Sequence, residues 1–327
     1  MHPTRSRRSL LLALLAGSLG AVAAPSLAQG AFPNKPLRMV VPFAPGGAAD
    51  VIARVVARGL GAQLNQQVVV ENKPGAEGII AATEVMRASP DGYTLMLGTN
   101  TAIVAVPSLR PNPPYDPFKA FTPLSSAGEF SMFLSVSPKL PARNLNEFLD
   151  HVAANPGKYS SASSNSAAEL AMLQLLGTRG AKVVNVRYKG DAQAMTDLVS
   201  GNIQMMFSTG TLTPPFVKDG KIRALVTLLP QRSPLLPEVP TAAELGLGKL
   251  TITPWAGFFG PAGMPPAVVD KLSTELRNAL ARPDVKEQLI AQGFSGYGMS
   301  SPEFTAFVKK QWDSFNAVVK ENNVKFE

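Results

Sequence analysis

Apolar and polar positions first fall into a clear pattern at 37–43, LRMVVPF, an apolar run of the kind buried on both faces in a parallel sheet. The run breaks at Pro45-Gly46-Gly47. Val51, Ile52, Val55, Val56, Leu60 and Leu64 then recur at helical spacing, predicting a helix that ends at 64. A strand over 67–71, a loop over 72–78 and a helix over 79–87 follow. Asp91-Gly92 turns the chain into a strand over 93–97, closed by Gly98-Thr99-Asn100. The order β-α-β-α-β builds a parallel sheet with right-handed crossovers.

Five prolines between 107 and 121 erase any period and predict an ordered loop, and 124–136 reads as one extended strand leaving the first unit. Asn144 with Glu147 three residues later marks the start of a helix over 145–154. The opening pattern then returns. A strand over 159–162, the polar turn Ser163-Ser164-Asn165-Ser166 and a helix over 167–176 lead to a strand over 183–188. A helix over 191–199, a strand over 203–207, a short turn at 216–219 and a strand over 222–228 complete the second unit. Beyond a proline-rich stretch, 241–245 reads as a short helix and 250–260 as an apolar, extended crossing. The remainder predicts helices over 266–280, 283–292 and 302–321, with Ser301 as N-cap before Pro302. The last helix carries Phe304, Phe307, Val308, Trp312 and Phe315 on one face, and these helices are expected to pack on the first unit.

The expected fold class is therefore α/β, with two lobes joined by two extended interdomain crossings. Lobe 1 comprises 29–125 and 256–327, and lobe 2 comprises 126–255. Ligands of such sheets sit at the carboxyl ends of the strands, in the cleft.

Composition alters this picture mainly at the N-terminus. Arg5, Arg7 and Arg8, an apolar stretch over 10–24 and Ser26-Leu27-Ala28 read as an export signal over 1–28, cleaved near Ala28. Its loss removes three of the positive charges and no acid, leaving +5 of the formal +8. The remaining basic residues are scattered, with Lys309-Lys310 the densest pair and no interleaved aromatics, which argues against nucleic-acid binding. With no cysteine, the chain has neither disulfides nor thiolate chemistry. His2 leaves with the signal, and His151 is expected to face solvent near a helix C-terminus, so neither a histidine dyad nor a multi-histidine metal site is expected. No cofactor fingerprint and no metal site is recognised.

Two turns carry the candidate chemistry. The first, Phe43, Ala44, Pro45, Gly46, Gly47 and Ala48, presents the N–H groups of a helix start at a sheet edge, where anions bind. It reads equally as a plain tight turn. In the second, Ser163, Ser164, Asn165 and Ser166 follow Ser160 and Ser161; a helix cap needs one such side chain, and the surplus suggests recognition of an oxygen-rich ligand. A Ser-dependent hydrolase is the alternative. It lacks a Gly-x-Ser-x-Gly elbow, and only a Ser–Lys pairing involving Lys189 stays open.

Several blocks together resemble a known family. They are Pro42-Phe43-Ala44-Pro45-Gly46-Gly47 with Asp50, Val70-Glu71-Asn72-Lys73-Pro74-Gly75-Ala76 and Pro90-Asp91-Gly92-Tyr93-Thr94-Leu95. Tyr188-Lys189-Gly190, Thr196-Asp197-Leu198-Val199-Ser200-Gly201, Pro237-Glu238-Val239-Pro240-Thr241 and Trp255-Ala256-Gly257 continue the series in order. The chain is similar to the Bug family, the periplasmic solute receptors of tripartite tricarboxylate transporters. The resemblance implies a periplasmic-binding-protein type II fold that closes on small organic acids, typically dicarboxylates. It also implies a monomeric, non-enzymatic receptor in the periplasm. Its partners are then the membrane permease subunits of such a transporter, or alternatively a sensor kinase. By resemblance, the Phe43 to Ala48 turn and the turn ending at Ser166 hold one carboxylate, and Thr99, Phe207 and Ser208 border the same cleft. Asp50 matches an acidic family position; it reads as a helix-dipole partner, or as a loop-fixing or ligand-facing group. One block departs from the family. Ser161-Ala162-Ser163-Ser164-Asn165-Ser166 replaces a glycine-rich turn, and Glu169 stands where the family has His, an extra carboxylate that discourages a second bound anion unless it is neutralised.

Overall fold

The computed structural model describes residues 32–247 and 250–324; the predicted export signal lies outside them. Strand β1 (Leu37–Val41) takes an inner position because Leu37, Met39, Val40 and Val41 are all buried apolar residues. Arg38 is the exception, and its guanidinium donates to Glu71 at 2.9 Å and Glu84 at 2.5 Å. Helix α1 (Ala48–Leu64) buries Ile52, Val55, Val56, Leu60 and Leu64 and stops at Asn65, whose left-handed backbone returns an N–H to the Gly61 carbonyl. Strand β2 (Val68–Asn72), helix α2 (Ile79–Met86) and strand β3 (Thr94–Thr99) complete the first unit. Both β2 and β3 pair parallel with β1.

Directly after β3, in a stretch to which the sequence pattern assigns no element, a π-helical turn (Thr101–Ala105) runs into α3 (Val106–Ser108). Every residue of that turn is buried. A helix apolar on all sides has no amphipathic period to read. Helix α4 (Pro117–Ala120) leads into β4 (Phe121–Phe130) and β5 (Met132–Val136). The single strand predicted over 124–136 is thus two strands, broken at Ser131 and belonging to different sheets.

The second unit runs α5 (Leu145–Ala153), β6 (Ser160–Ser163), α6 (Ser166–Gly177), β7 (Val184–Arg187), α7 (Asp191–Ser200), β8 (Met205–Thr209), α8 (Thr213–Lys218) and β9 (Arg223–Thr227). Asn144 caps α5 by accepting from the Glu147 N–H at 3.0 Å, as its sequence position predicts. The expected helix at 241–245 is instead a turn, tied by reciprocal bonds between Thr241 and Glu244 and ended by Gly246 at φ +75°. Strand β10 (Trp255–Pro261) follows, then α9 (Pro266–Ala281), α10 (Pro283–Ala291), the unpredicted short strand β11 (Phe294–Gly296) and α11 (Ser301–Glu321). Ser300, one residue before the expected cap, forms a capping box with Glu303.

Two mixed sheets result. The six-stranded sheet has the order β11-β4-β10-β3-β1-β2 and the five-stranded sheet β7-β6-β8-β5-β9. The two are built alike. A parallel trio adjoins one antiparallel strand, β10 beside β3 in the larger sheet and β5 beside β8 in the smaller. The chain passes between the sheets at Ser131 and again between β9 and β10. Phe130 N–H donates to the Pro254 carbonyl at 2.8 Å, so the two passages run side by side. On the larger sheet, Phe304 of α11 packs edge-on against Trp255 and lies against Phe259. Gly257 makes that approach feasible, since a Cβ there would stand 2.1 Å from Phe304 Cζ. Among the described residues, no helix is long and apolar enough to cross a membrane.

Candidate functional site

The carboxyl ends of both parallel trios border one cavity of about 210 Å³. Small-molecule sites commonly run from roughly 300 to 1,000 Å³, so this one suits a compact ligand. The larger sheet supplies Phe43, Gly47, Ala48 and Ala49 from the β1–α1 turn and Thr99, Asn100 and Thr101 from the end of β3. Facing them, the smaller sheet supplies Asn165, Ala167, Ala168 and Ala171 from β6–α6, Asp191 from the start of α7 and Thr209 from the end of β8. Phe130, Met132, Leu228, Ile252 and Pro254, in and beside the two passages, form an apolar floor into which Thr253 brings one hydroxyl.

Helix α1 starts at this wall with Gly47 as N-cap and no side chain capping it. The first N–H groups of a helix have no intrahelical partner, and Gly47, Ala48 and Ala49, which begin this one, line the cavity. Thr99 adds a second feature: the residue is 4% exposed, and its hydroxyl has no hydrogen-bond partner in the protein. Such a buried orphan is costly unless something in the cavity engages it. Across the cavity, Thr101 Oγ1 donates to Asn165 Oδ1 at 3.4 Å, a contact between the two walls.

Of the residues singled out from sequence, Phe43, Gly47, Ala48, Thr99 and Asn165 line the cavity. Ala44, Pro45 and Gly46 lie on the same turn but are exposed beside it. Asp50 is buried behind that turn and holds its shape. Its carboxylate accepts from Gly46 N–H at 2.9 Å, Arg54 Nε at 3.0 Å and Asn72 Nδ2 at 2.9 Å, while Asn72 also donates to the Phe43 carbonyl. Burial opposes the Asp50 charge, but the Arg54, Gly46 and Asn72 donors outweigh it and hold the carboxyl below its ordinary range. Of the readings open for this residue, loop fixing is the one its contacts support.

The serine-rich turn spends its side chains inside the protein. Ser163 Oγ accepts from Asn185 at 3.0 Å, Ser164 donates to Asp191 at 2.5 Å, and Ser166 donates to Glu77. Asn165 caps α6 by accepting from Ala168 N–H at 2.9 Å. Phe207 and Ser208 do not reach the cavity. Ser208 is fully buried between the hydroxyls of Ser135 at 2.6 Å and Thr213 at 2.7 Å. Glu169 is neutralised: Arg187 donates to it at 2.8 Å, although burial, the larger influence, raises its pKa. His151 does stand in the last turn of α5, but it is half-buried, with Nε2 2.6 Å from the Tyr159 hydroxyl, rather than facing solvent. Among the described residues, no lysine or histidine is hydrogen-bonded to any serine of the turn, and Lys189 is exposed. A serine nucleophile of the Ser–Lys or Ser–His kind would have no such partner beside it.

Sequence reasoning missed Asp191, Asn100, Thr101 and Thr209. Asp191 is half-buried at the first position of α7, faced by the Ser164 and Thr209 hydroxyls and the Thr209 N–H; desolvation, the largest influence, pushes its carboxyl above the ordinary range. An acid placed directly after Gly190, at a strand-to-helix turn, was the one available signal. The floor residues carry no comparable mark.

A model of the tripartite tricarboxylate transporter family receptor matches residues 52–324. The chain is 33% identical over 309 residues to the protein BugT of Bordetella pertussis, covering 94% of each chain. Among solved structures it is similar to the periplasmic binding protein BugD, with 33% identity, a TM-score of 0.76, and coverage of 90% of this chain and 100% of that one. It is also similar to MatC from Rhodopseudomonas palustris with bound malate, with 30% identity, a TM-score of 0.73, and coverage of 88% and 100%.

Proposed function

The chain belongs to the tripartite tricarboxylate transporter receptor family, and from that premise we propose that it captures a small organic carboxylate in the cavity between its two sheets and hands it to the membrane permease subunits of such a transporter. The carrying observation is the uncapped start of α1 beside the unpartnered Thr99 hydroxyl, two kinds of donor at one cavity wall. Donors of this kind favour a carboxylate over a neutral or cationic group. MatC, a relative of the same fold, holds malate. The proposed ligand contacts are the Phe43 to Ala48 turn, Thr99, Asn100 and Thr101 on one wall, and Asn165, Asp191 and Thr209 on the other.

In this reading the lobes meet at the passages near Ser131 and Pro254, and each sheet moves with its helices as the cavity closes. The setting is the periplasm, reached after cleavage near Ala28. Isothermal titration of the mature protein against aliphatic and aromatic acids tests the reading. A single-site binder among them is expected, and flat heats across the whole panel would overturn it. Reconstituted permease should take up the bound acid only when the loaded receptor is present.

A further inference from the structure

Two of the chain's own carboxylates stand on the smaller-sheet side, one lining the cavity and one against the residue between the lining residues Asn165 and Ala167. Asp191 lines the wall directly. Glu77 arrives from the loop after β2, on the larger-sheet side. Its carboxylate accepts from the Ser166 hydroxyl and, at 3.4 Å, from the Ser166 N–H, at the first residue of α6. Ser166 is itself buried. The loop that presents Glu77 is unusual: Gly75, Ala76, Glu77 and Gly78 have φ of 128°, 47°, 54° and 95°. Two successive L residues seldom adopt this left-handed conformation. The fold tolerates it here and thereby sets an acid on the start of α6. Asn165 takes the Ala168 N–H of the same helix end. The cradle that could have received a second ligand carboxylate is thus already filled from within the protein.

No lysine, arginine or histidine is among the described residues lining the cavity, so no cation on its wall offsets the charge of Asp191, which has only the neutral donors of Ser164 and Thr209. A dicarboxylate spanning the space would set its second charge against Asp191. Like charges so placed cannot both stay ionised without a large loss of affinity. A cationic group at that end would instead gain a charge-assisted hydrogen bond. The opposite wall, with the α1 start and the Thr99 hydroxyl, still suits one anion.

We propose that the site selects a monocarboxylate bearing an ammonium group at its far end, with the carboxylate held at Thr99 and the α1 start and the ammonium accepted by Asp191. This rests on the carboxylate-capture reading above and narrows it. The test uses matched pairs that differ only at one terminus: 3-aminopropanoate with succinate, 4-aminobutanoate with glutarate, and 5-aminopentanoate with adipate. Each is titrated calorimetrically into mature protein that has been unfolded, dialysed and refolded to strip any bound acid. In at least one pair the amino acid should bind ten-fold or more tightly than the diacid. Asp191→Asn, checked for folding by its melting curve, should weaken the amino acid at least ten-fold and narrow or reverse the preference. Diacids that bind as well as or better than their amino partners in the wild type would overturn the proposal while leaving carboxylate capture standing. Silence from all six compounds, together with flat heats for the wider acid panel, would overturn both. The wild-type comparison decides the matter even if the variant fails to fold.

Discussion

Replacing Thr99 by valine separates a ligand-binding hydroxyl from a structural one. Valine keeps the shape of the side chain and removes only the oxygen. In the free protein that oxygen is buried without a protein partner. Burying an unsatisfied polar group costs about 1–3 kcal/mol, so the free Thr99→Val protein should be as stable as the wild type or more stable, by up to about 1–2 kcal/mol. In the complex the same oxygen is expected to donate to a carboxylate. A hydrogen bond to a charged group contributes about 1.5–3 kcal/mol, so its loss should raise Kd roughly 10- to 150-fold. The two effects have opposite signs, and that opposition is the diagnostic. Urea unfolding of the free protein and calorimetric titration with the tightest acid of the panel measure them independently. A Kd within about three-fold of wild type, or a free protein less stable by more than about 1 kcal/mol, would refute the assignment of this hydroxyl to the ligand.

Other consequences follow from the same geometry. Asp50→Asn should destabilise by about 1–3 kcal/mol through loss of the charged acceptor for Gly46, Arg54 and Asn72, and should weaken ligand binding by loosening the turn. Because the folded pKa of Asp50 is depressed, its stabilisation is present above about pH 4 and is lost as pH falls through the lower folded value; acid unfolding of the Asn variant should lack that component. Gly257→Ala sets a methyl against Phe304 and should cost at least about 1–3 kcal/mol, with part recovered by adding Phe304→Leu in a double-mutant cycle. Ala76→Gly relieves a left-handed backbone at φ 47° and should stabilise by about 0.5–1 kcal/mol in thermal melts.

Much of the architecture is legible in the chain because burial imposes period. β1 reads as an inner strand since four of its five residues face apolar surroundings, and α1 reads as a helix since its apolar side repeats with the turn. The π-helical turn at Thr101–Ala105 escapes for the opposite reason: every side is buried, so no face is marked. The break at Ser131 has no local signal either, because β4 and β5 part company through long-range pairing with β10 and β8. At the site, the β1–α1 turn announces itself through Pro45-Gly46-Gly47. The fate of the serine-rich turn does not, because its partners Asn185, Asp191 and Glu77 lie 22, 27 and 89 positions away in the chain. Counting donors identifies hydrogen-bonding capacity, and only the fold decides who uses it. Asp191 illustrates the same limit, since an acid at the first position of a helix is ordinary until the opposite wall encloses it.

The side-by-side passages at Phe130 and Pro254 carry a mechanical consequence. Two neighbouring tethers clasped by a main-chain hydrogen bond behave like paired pins on one door frame. In the proposed capture cycle such tethers would leave swinging about a common axis soft and make sideways sliding or twisting stiff. An opening stroke constrained in this way would return the same residues to the same opposing positions every time, so that the proposed selectivity, set by a few atoms on each wall, would survive repeated loading and release.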